Sequence, residues 1–292
     1  MYWLMAGIFL LIVVWFLYGY LSNFRMDEKC CSKYEMNEPK VVSGQGLRMV
    51  YLTDLHGWRY GKDNEKLWMK IRAAEPEIIC IGGDMTVKEG EGCESALSLC
   101  ARLLEIAPVY YAMGNHEIRM PRYEEYVTRL EQLGVCVLRN ESAIYQKDSM
   151  EYHIYGLDLP LESYARWKKN VPPTGEQLQE LLGKPEERDS VMTILLAHNP
   201  AFFPIYASWK PDLVLSGHFH GGIMILPGLG GVIGPDFKLF PKYDEGPFRE
   251  KDSYMIVSRG LGTHHLPFRF FNPPEMVILQ INPGEELTLE RK

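Results

Sequence analysis

Short apolar runs recur along most of the chain, and each of them ends in a polar motif. Between the first runs lie segments with apolar residues at helical spacing, of which Leu67, Trp68 and Ile71 give a clear example. Strand, helix and strand in alternation predict a sheet with helices packed on its faces. The strands predicted from these runs are 47–53, 78–81, 109–112, 191–197 and 213–215.

The remaining pattern completes the predicted fold. Amphipathic helices are expected over 62–74, 95–106 and 123–133. Runs at 135–138, 143–146 and 152–155 are typical of a strand meander and predict a second sheet. The predicted fold class is therefore α/β, with two stacked mixed β-sheets flanked by helices and the polar strand-end motifs gathered at one edge.

The N-terminal segment has a different character. No charged side chain occurs in the first 23 residues, and residues 2–21 are almost all apolar. At ~1.5 Å per residue, such a helix is long enough to cross a hydrocarbon core of ~30 Å. The segment has neither the basic leader nor the small-residue cleavage site that a signal peptide needs. We therefore expect an N-terminal transmembrane helix over residues 1–24 that contacts a lipid bilayer through residues 3–21, with a buried globular helix as the alternative.

The segment after this helix sets the predicted orientation and domain limits. The nearest basic residues, Arg25, Lys29 and Lys33, all follow the helix. The positive-inside rule therefore favours a membrane protein whose remaining residues lie in the cytoplasm. Residues 25–45 are polar and show no regular period, which predicts a tether, and the folded domain is expected to span 46–292.

Overall charge limits the possible partners. The formal net charge is -7 at pH 7, although the charged and apolar fractions are those of an ordinary globular protein. A general nucleic-acid binder needs a basic surface to neutralise backbone phosphates. No nucleic-acid partner is therefore expected.

Metal-binding residue types follow three predicted strands in succession. In an extended segment alternate side chains point the same way, so the carboxylate and imidazole of a D-x-H motif can meet one cation. A carboxylate after two glycines can bridge two cations, although a helix N-cap is the alternative for that aspartate. The residues in these motifs are Asp54, His56, Asp84, Asn115 and His116.

Two later strands end in histidines. His198 follows one of them, and His218 and His220 follow the next with glycines on both sides. A lone histidine is most often a satisfied core or surface residue. Five polar motifs at successive strand ends are not explained in that way and favour a metal centre.

The order D-x-H, G-D, G-N-H-E, H and G-H-x-H resembles the signature of the calcineurin-like metallophosphoesterases. The resemblance extends from residue 49 to about residue 281, and LSGHFHGG, LFPKY and SRGLG resemble the membrane-associated bacterial branch. It implies two divalent metal ions, with Mn, Fe, Zn and Co all compatible with oxygen and nitrogen ligands. The implied ligands are Asp54, His56, Asp84 and His220 for one ion, and Asp84, Asn115, His198 and His218 for the other.

The resemblance also implies an activity. A hydroxide bridging the two ions would attack the phosphorus of a phosphate ester or pyrophosphate, and His116 would act at the leaving group. A membrane-derived or lipid-linked substrate is favoured because of the predicted anchor. A phosphodiesterase for a soluble nucleotide and a non-catalytic membrane scaffold are the alternatives, and so many converging polar groups argue against the scaffold.

Other residues have weaker assignments. Arg259 and His264 could border the substrate phosphate, because a guanidinium matches phosphate geometry, or they could belong to an ordinary loop. Glu117 could orient His116 or could simply begin a helix. Residues 223–240 are rich in glycine and apolar side chains, which predicts either a buried hairpin or an apolar wall beside the metals that accepts acyl chains.

Overall fold

The computed structural model of the chain describes residues 2–22, 26, 30–87, 90–164, 171–186, 188–222, 224–226, 228–235, 238–263 and 269–292. Its helices are α1 (Tyr2–Ser22), α2 (Glu65–Ala73), α3 (Cys93–Leu103), α4 (Asn115–Ile118), α5 (Tyr123–Leu133), α6 (Gly175–Leu182) and α7 (Phe203–Ser208). The strands of the first half are β1 (Cys31–Glu38), β2 (Leu47–Leu52), β3 (Ile78–Ile81), β4 (Val109–Ala112), β5 (Cys136–Leu138), β6 (Glu141–Lys147) and β7 (Met150–Leu157). Those of the second half are β8 (Val191–Ala197), β9 (Leu213–Ser216), β10 (Ile225–Leu226), β11 (Gly230–Gly231), β12 (Gly246–Glu250), β13 (Ser253–Val257), β14 (Met276–Pro283) and β15 (Thr288–Arg291).

Two mixed sheets form the centre of the fold, as predicted. One has the strand order β15-β1-β14-β2-β3-β4-β5, and the other has the order β12-β13-β9-β8-β7-β6. In the first sheet β2, β3, β4 and β5 run parallel, while β14 is antiparallel to β2. In the second, β7, β8, β9 and β13 run parallel between two antiparallel edge strands.

Three apolar clusters hold these layers together. The middle cluster lies between the sheets and includes Tyr51, Ile154 and Leu196. The second packs α2, α3 and α5 against the first sheet, and the third packs α6 and α7 against the second sheet. Both faces of the central strands are therefore buried, which explains why those strands are apolar runs without alternation.

Strand β1 lies inside the predicted tether, so the prediction of an unstructured 25–45 is wrong. Residues 31–38 pair parallel with β14, and residues 34–37 also pair antiparallel with β15. Every second side chain is buried, among them Ser32, Tyr34, Met36 and Glu38. The sequence does not show an apolar and polar alternation here, because two of the buried residues, Ser32 and Glu38, are polar. The folded domain therefore begins before residue 46.

The N-terminal residues 2–22 form helix α1. Within the described ranges, no helix combines the length and apolar character that crossing a membrane requires, so the predicted transmembrane helix is not supported. Helix α1 contacts the rest of the chain through aromatic rings. Trp15 stacks on Phe270 with 4.4 Å between ring centroids, and Phe16 meets the same ring edge-on at 5.3 Å.

The segment 223–240 contains the short hairpin β10–β11, but it is not the buried hairpin that was one of the two predictions. Leu229, Leu239 and Phe240 expose 66%, 64% and 52% of their surface. The backbone of Ile225 bonds that of Phe270, so this hairpin lies beside the ring that contacts α1. Residues 223, 227, 236 and 237 lie outside the described residues.

The carboxyl group of Glu38 makes the stability of the fold depend on pH. Burial, and next the Asp212 carboxylate, raise the pKa of Glu38 from 4.5 to about 7, although Lys40 acts in the opposite direction. The folded protein therefore holds this proton more tightly than the unfolded chain does. The resulting stability is present below pH 4.5 and is lost as the pH rises through about 7.

Glu38→Gln should remove most of this loss, because an amide has no charge to bury. We expect the variant to have a free energy of unfolding at pH 8 that is roughly 1–3 kcal/mol above that of the wild type, with near equality at pH 4. Denaturant melts across this pH range measure the difference. Glu105→Gln, at an exposed position, is the control. Parallel pH profiles for the wild type and Glu38→Gln would show that the Glu38 carboxyl has no such effect.

Candidate metal centre

The polar motifs lie where the two sheets meet at one edge. Strands β2, β3 and β4 are parallel neighbours, so the residues that follow them, Asp54, Asp84 and Asn115, come to the same edge. Strands β8 and β9 end beside them in the second sheet and bring His198 and His218. This position outside the carboxyl ends of parallel strands is where ligands bind in open α/β sheets.

One group of ligand atoms is formed by Asp54, His56 and His220. The two imidazole Nε2 atoms lie 3.0 Å apart, and Asp54 Oδ1 is 3.3 Å from His220 Nε2 and 3.7 Å from His56 Nε2. Three electron-donating atoms therefore point at one small volume. This is the arrangement expected of ligands to one cation.

A second group is formed by Asp84, His198 and His218. Asp84 Oδ2 lies 3.2 Å from His198 Nε2. The side-chain amide of Asn115 turns its oxygen toward His218 Nδ1 at 2.9 Å, so two acceptors face each other. A cation between them would satisfy both atoms, whereas rotation of the amide would make a simple hydrogen bond instead.

Asp84 lies between the two groups. Its Oδ2 is 3.2 Å from His198 Nε2 in one group and 3.9 Å from His56 Nε2 in the other. The second oxygen of Asp84, Oδ1, accepts from His116 N at 2.7 Å. Asp54 Oδ1 also lies 3.9 Å from His198 Nε2, but of these two aspartates Asp84 is the one that belongs to possible ligand groups with both His56 and His198. Asp84 is thus placed to be shared by two cations.

The residues at this edge fit divalent cations by their buried atoms and by their chemistry. Asp54 Oδ1 and His198 Nε2 are buried and have no hydrogen-bond partner, although buried polar atoms normally have one. His198 Nδ1 lies 2.7 Å from the Gly82 carbonyl, and donation to that oxygen leaves Nε2, which is aimed at Asp84, as the atom that can bind a cation. The ligand set holds oxygen and nitrogen but no thiolate, which suits several divalent metals.

The charges of the metal centre support the same conclusion. Burial opposes the ionisation of Asp54 and Asp84, but nearby histidines outweigh it and hold the pKa of both carboxyls well below the usual value. Burial also opposes a proton on His198, yet Asp84 and Asp54 raise its pKa to about 9. The two buried carboxylates, Asp54 and Asp84, thus favour a positive charge beside them. A bound metal ion would supply that charge in place of the proton on His198.

The backbone of the ligand residues differs from the extended form that was predicted. Asp54, His56, Asp84, His218 and His220 all have left-handed φ angles, between 48° and 67°. The ligand pairs therefore converge because the chain coils after each strand, and strand alternation is the wrong explanation. Non-glycine residues pay ~1–3 kcal/mol for such a conformation and keep it only where the surroundings enforce it.

Glycines and carbonyl groups enforce these conformations. A side chain at Gly83 would overlap the backbone of Gly114, and one at Gly217 would overlap the Asp54 carboxylate. The amides of Asp54 and His56 donate to the carbonyls of Gly83 and Asp84, each at 2.9 Å. The two loops thus hold each other in place.

Glu117 holds the same loops through its carboxylate. Its carboxylate accepts from the amides of Asp84 and Met85, both at 2.7 Å, from Gly114 N at 3.1 Å and from Thr86 N at 3.2 Å. The residue is fully buried. The bond from Gly114 N confirms the predicted helix-start role, and the other three bonds tie Glu117 to the loop after β3.

Comparison with a protein-family model decides the family. The model of calcineurin-like phosphoesterases matches residues 47–222, more than half of the 292-residue chain. The chain belongs to the calcineurin-like phosphoesterases. The predicted family is therefore confirmed.

Similar proteins agree with this family. An uncharacterized metallophosphoesterase of Helicobacter pylori (strain ATCC 700392 / 26695) is 30% identical over 246 residues, which are 82% of this chain and 61% of that protein. The phosphodiesterase YaeI of Escherichia coli (strain K12) is 24% identical over 242 residues, 80% of this chain and 82% of that protein. The chain thus spans about three fifths of the first relative's length.

Among solved structures, the NAD nucleotidase NadN of Haemophilus influenzae is similar in fold. Its TM-score is 0.50 at 15% identity, over 74% of this chain and 45% of that one. This likeness shows the fold alone.

His116 follows Asn115 and lies near both ligand groups. Its ring meets that of His56 edge-on with 4.7 Å between centroids, and it forms a third possible ligand group with His56 and Asp84. Burial lowers the pKa of His116 to about 4, against the opposite influence of Asp84. Since a general acid must carry a proton, the predicted acid role requires the negative charge of a bound phosphate to raise this pKa.

The structure gives Arg259 a partner other than the predicted phosphate. Its Nη2 lies 3.3 Å from Glu275 Oε1, and its amide donates to Glu275 Oε2 at 2.8 Å. Glu275 is fully buried and also pairs with Arg291 at 3.2 Å. The contacts of Arg259 are therefore those of a structural ion-pair network, and its phosphate contact stays a prediction. His264 lies outside the described residues.

Arg269 was not foreseen from the sequence, yet it is buried beside the metal centre. It donates to the carbonyl groups of Arg259 at 2.8 Å and of Gly260 at 3.2 Å, and also to that of Gly262. Its Nη2 lies 3.3 Å from His220 Nδ1. Arg269 belongs to none of the recognised motifs, so only the lone arginine among aromatic residues in the sequence FRFF pointed to it.

Proposed function

We propose that this chain hydrolyses a phosphate ester or pyrophosphate bond with two divalent cations. The observation that carries the proposal is the position of Asp84 Oδ2, 3.2 Å from one histidine of the second ligand group and 3.9 Å from one of the first. Asp54, His56 and His220 would hold one ion, and Asn115, His198 and His218 the other, with Asp84 shared. When bound, such a pair supplies Lewis acidity and lowers the pKa of water.

The side chains and backbone of the protein would position the ligands and transfer the proton. Gly82 fixes the His198 tautomer, and the hydrogen bonds of Glu117 fix the loop that carries Asp84. His116, whose amide is tied to Asp84 Oδ1, would keep its ring next to the phosphoryl group and give a proton to the leaving oxygen. The buried position of these residues limits water and strengthens their electrostatic effect.

Metal removal and return test the proposal. The full chain would be stripped with a chelator and assayed with Mn²⁺ on a nitrophenyl phosphomonoester, a bis-nitrophenyl phosphodiester and a pyrophosphate diester. We expect hydrolysis of at least one substrate to disappear with the chelator and return with Mn²⁺, because the ligands alone provide no Lewis acid. Elemental analysis should find two ions per chain in the active form. Hydrolysis that survives chelation, or a protein that binds Mn²⁺ and cleaves none of the three, would contradict the proposal.

For the substrate, we favour a lipid-linked phosphate over a soluble nucleotide. The support is the exposed apolar surface of Leu229, Leu239 and Phe240, in the segment 223–240 that follows the His218 to His220 motif and contains the β10–β11 hairpin. The backbone of this hairpin contacts that motif, since Gly231 lies against Gly221. An acyl chain could lie on this surface while its phosphate reaches the ligands. Higher kcat/KM for a nucleotide diester than for a diester with an acyl chain would favour the alternative.

A further inference from the structure

Arg119 is the cation at the end of α4, four residues after the ligand Asn115. It is half-buried, and its guanidinium contacts two backbone oxygens at long distances, Asn115 O at 3.4 Å and Tyr164 O at 3.5 Å. Among the described residues no carboxylate forms an ion pair with it. Most buried or half-buried arginines have such a partner, as Arg259 does in Glu275.

A third contact of Arg119 depends on how the Asn115 amide is turned. Arg119 Nη1 lies 2.7 Å from the atom of the Asn115 side chain that points away from His218. When the Asn115 oxygen faces His218, as it does for a metal ligand, this atom is the amide nitrogen. Two donors then face each other at hydrogen-bond distance and repel. Asn115 therefore cannot both face a cation with its oxygen and satisfy Arg119.

We propose that Arg119 binds the non-bridging phosphoryl oxygens of the substrate, an inference that rests on the proposed function. With Asn115 facing a cation, the guanidinium needs another acceptor on the metal side of α4. A phosphoryl group held by the same metal centre offers two oxygens in the geometry that a guanidinium fork matches. Arg119 and not Arg259 is then the arginine that contacts phosphate.

The surroundings of Arg119 agree with such a contact. His116 lies three residues before Arg119, on the same short helix. An anion held near both side chains would be attracted by the positive charge of Arg119. The guanidinium would stabilise the charge that develops on the phosphoryl oxygens without taking part in proton transfer.

The experiment uses the full chain loaded with Mn²⁺ and compares Arg119→Gln and Arg119→Lys with the wild type. Orthophosphate binding is measured by calorimetry, Mn²⁺ content by elemental analysis, and kcat and KM on a phosphodiester. We expect full Mn²⁺ content in both variants and a loss of about 10- to 100-fold in orthophosphate affinity for Arg119→Gln, the range for a charge-assisted hydrogen bond. Arg119→Lys should recover part of that loss, because it keeps the charge but not the fork.

Arg122→Gln is the matched control. Arg122 lies three residues further on, its side chain is 80% exposed, and it pairs with Glu125 at 2.6 Å. This variant should bind orthophosphate like the wild type. Wild-type phosphate affinity in Arg119→Gln, or loss of Mn²⁺ from it, would overturn the inference while leaving the proposed function standing. A wild type that neither binds Mn²⁺ nor cleaves phosphoesters would overturn both.

Discussion

Asp84→Asn is expected to lower kcat/KM by more than about 10²-fold and to reduce the affinity for both cations. Replacing groups that only support a metal ligand costs ~10- to 100-fold, and Asp84 is placed as a ligand of two ions. The amide keeps the size of the side chain and its acceptor for His116 N at 2.7 Å, so the loop should keep its shape. Calorimetric titration with Mn²⁺, together with elemental analysis, measures the metal loss.

The control for this variant is Asp212→Asn. Asp212 is also buried, bonds Thr193 N at 2.7 Å and pairs with Lys40 at 2.6 Å, but it is no member of the ligand groups. It should lose stability and keep both metals. If Asp84→Asn instead lost stability to the same extent and kept full metal content and turnover, Asp84 would be a structural residue only.

His116→Asn should leave the metal content nearly normal and reduce turnover by ~10²- to 10⁴-fold on substrates with poor leaving groups, the usual range for general acid catalysis. A smaller loss is expected on nitrophenyl esters, because a leaving group of low pKa departs without a proton. The measurement is a plot of log kcat against leaving-group pKa for the wild type and the variant. The slope should be steeper for the variant.

Equal losses on good and poor leaving groups would show that His116 acts only by electrostatic contact with the phosphoryl group. Loss of a metal ion would instead make His116 a ligand in the group that it forms with His56 and Asp84. Elemental analysis of the same preparation distinguishes the two results.

The sequence was informative where apolar runs and polar motifs coincide. The strands before Asp54, Asp84, Asn115, His198 and His218 are near their predicted positions, because fully buried parallel strands are continuous apolar runs. Parallel strands also bring their ends to one edge, so the grouping of the ligands followed from the strand pattern. Membership of the family was visible in the same motifs.

Features that depend on distant contacts could not be predicted. Strand β1 is an interior strand only because β14 and β15, more than 200 residues later, pair with it. The left-handed backbone of Asp54 or His220 has no local signal, since these residue types usually adopt other conformations. The ion pair of Arg259 with Glu275 could not be predicted either, because Glu275 lies outside every motif.

The bonds that hold the ligand loops have a consequence for the choice of metal. The loop after β3 is tied to the buried Glu117 carboxylate, His198 is fixed by the Gly82 carbonyl, and the His220 carbonyl accepts from Asn272 Nδ2 at 2.6 Å. Because these bonds restrain the ligand loops, the metal centre can neither contract around a small ion nor expand around a large one at low cost in free energy. The site would therefore discriminate among divalent cations by their ionic radius and preferred coordination number. Among cations that fit equally well, the one bound would depend on their supply in the cell and not on movement of the loops.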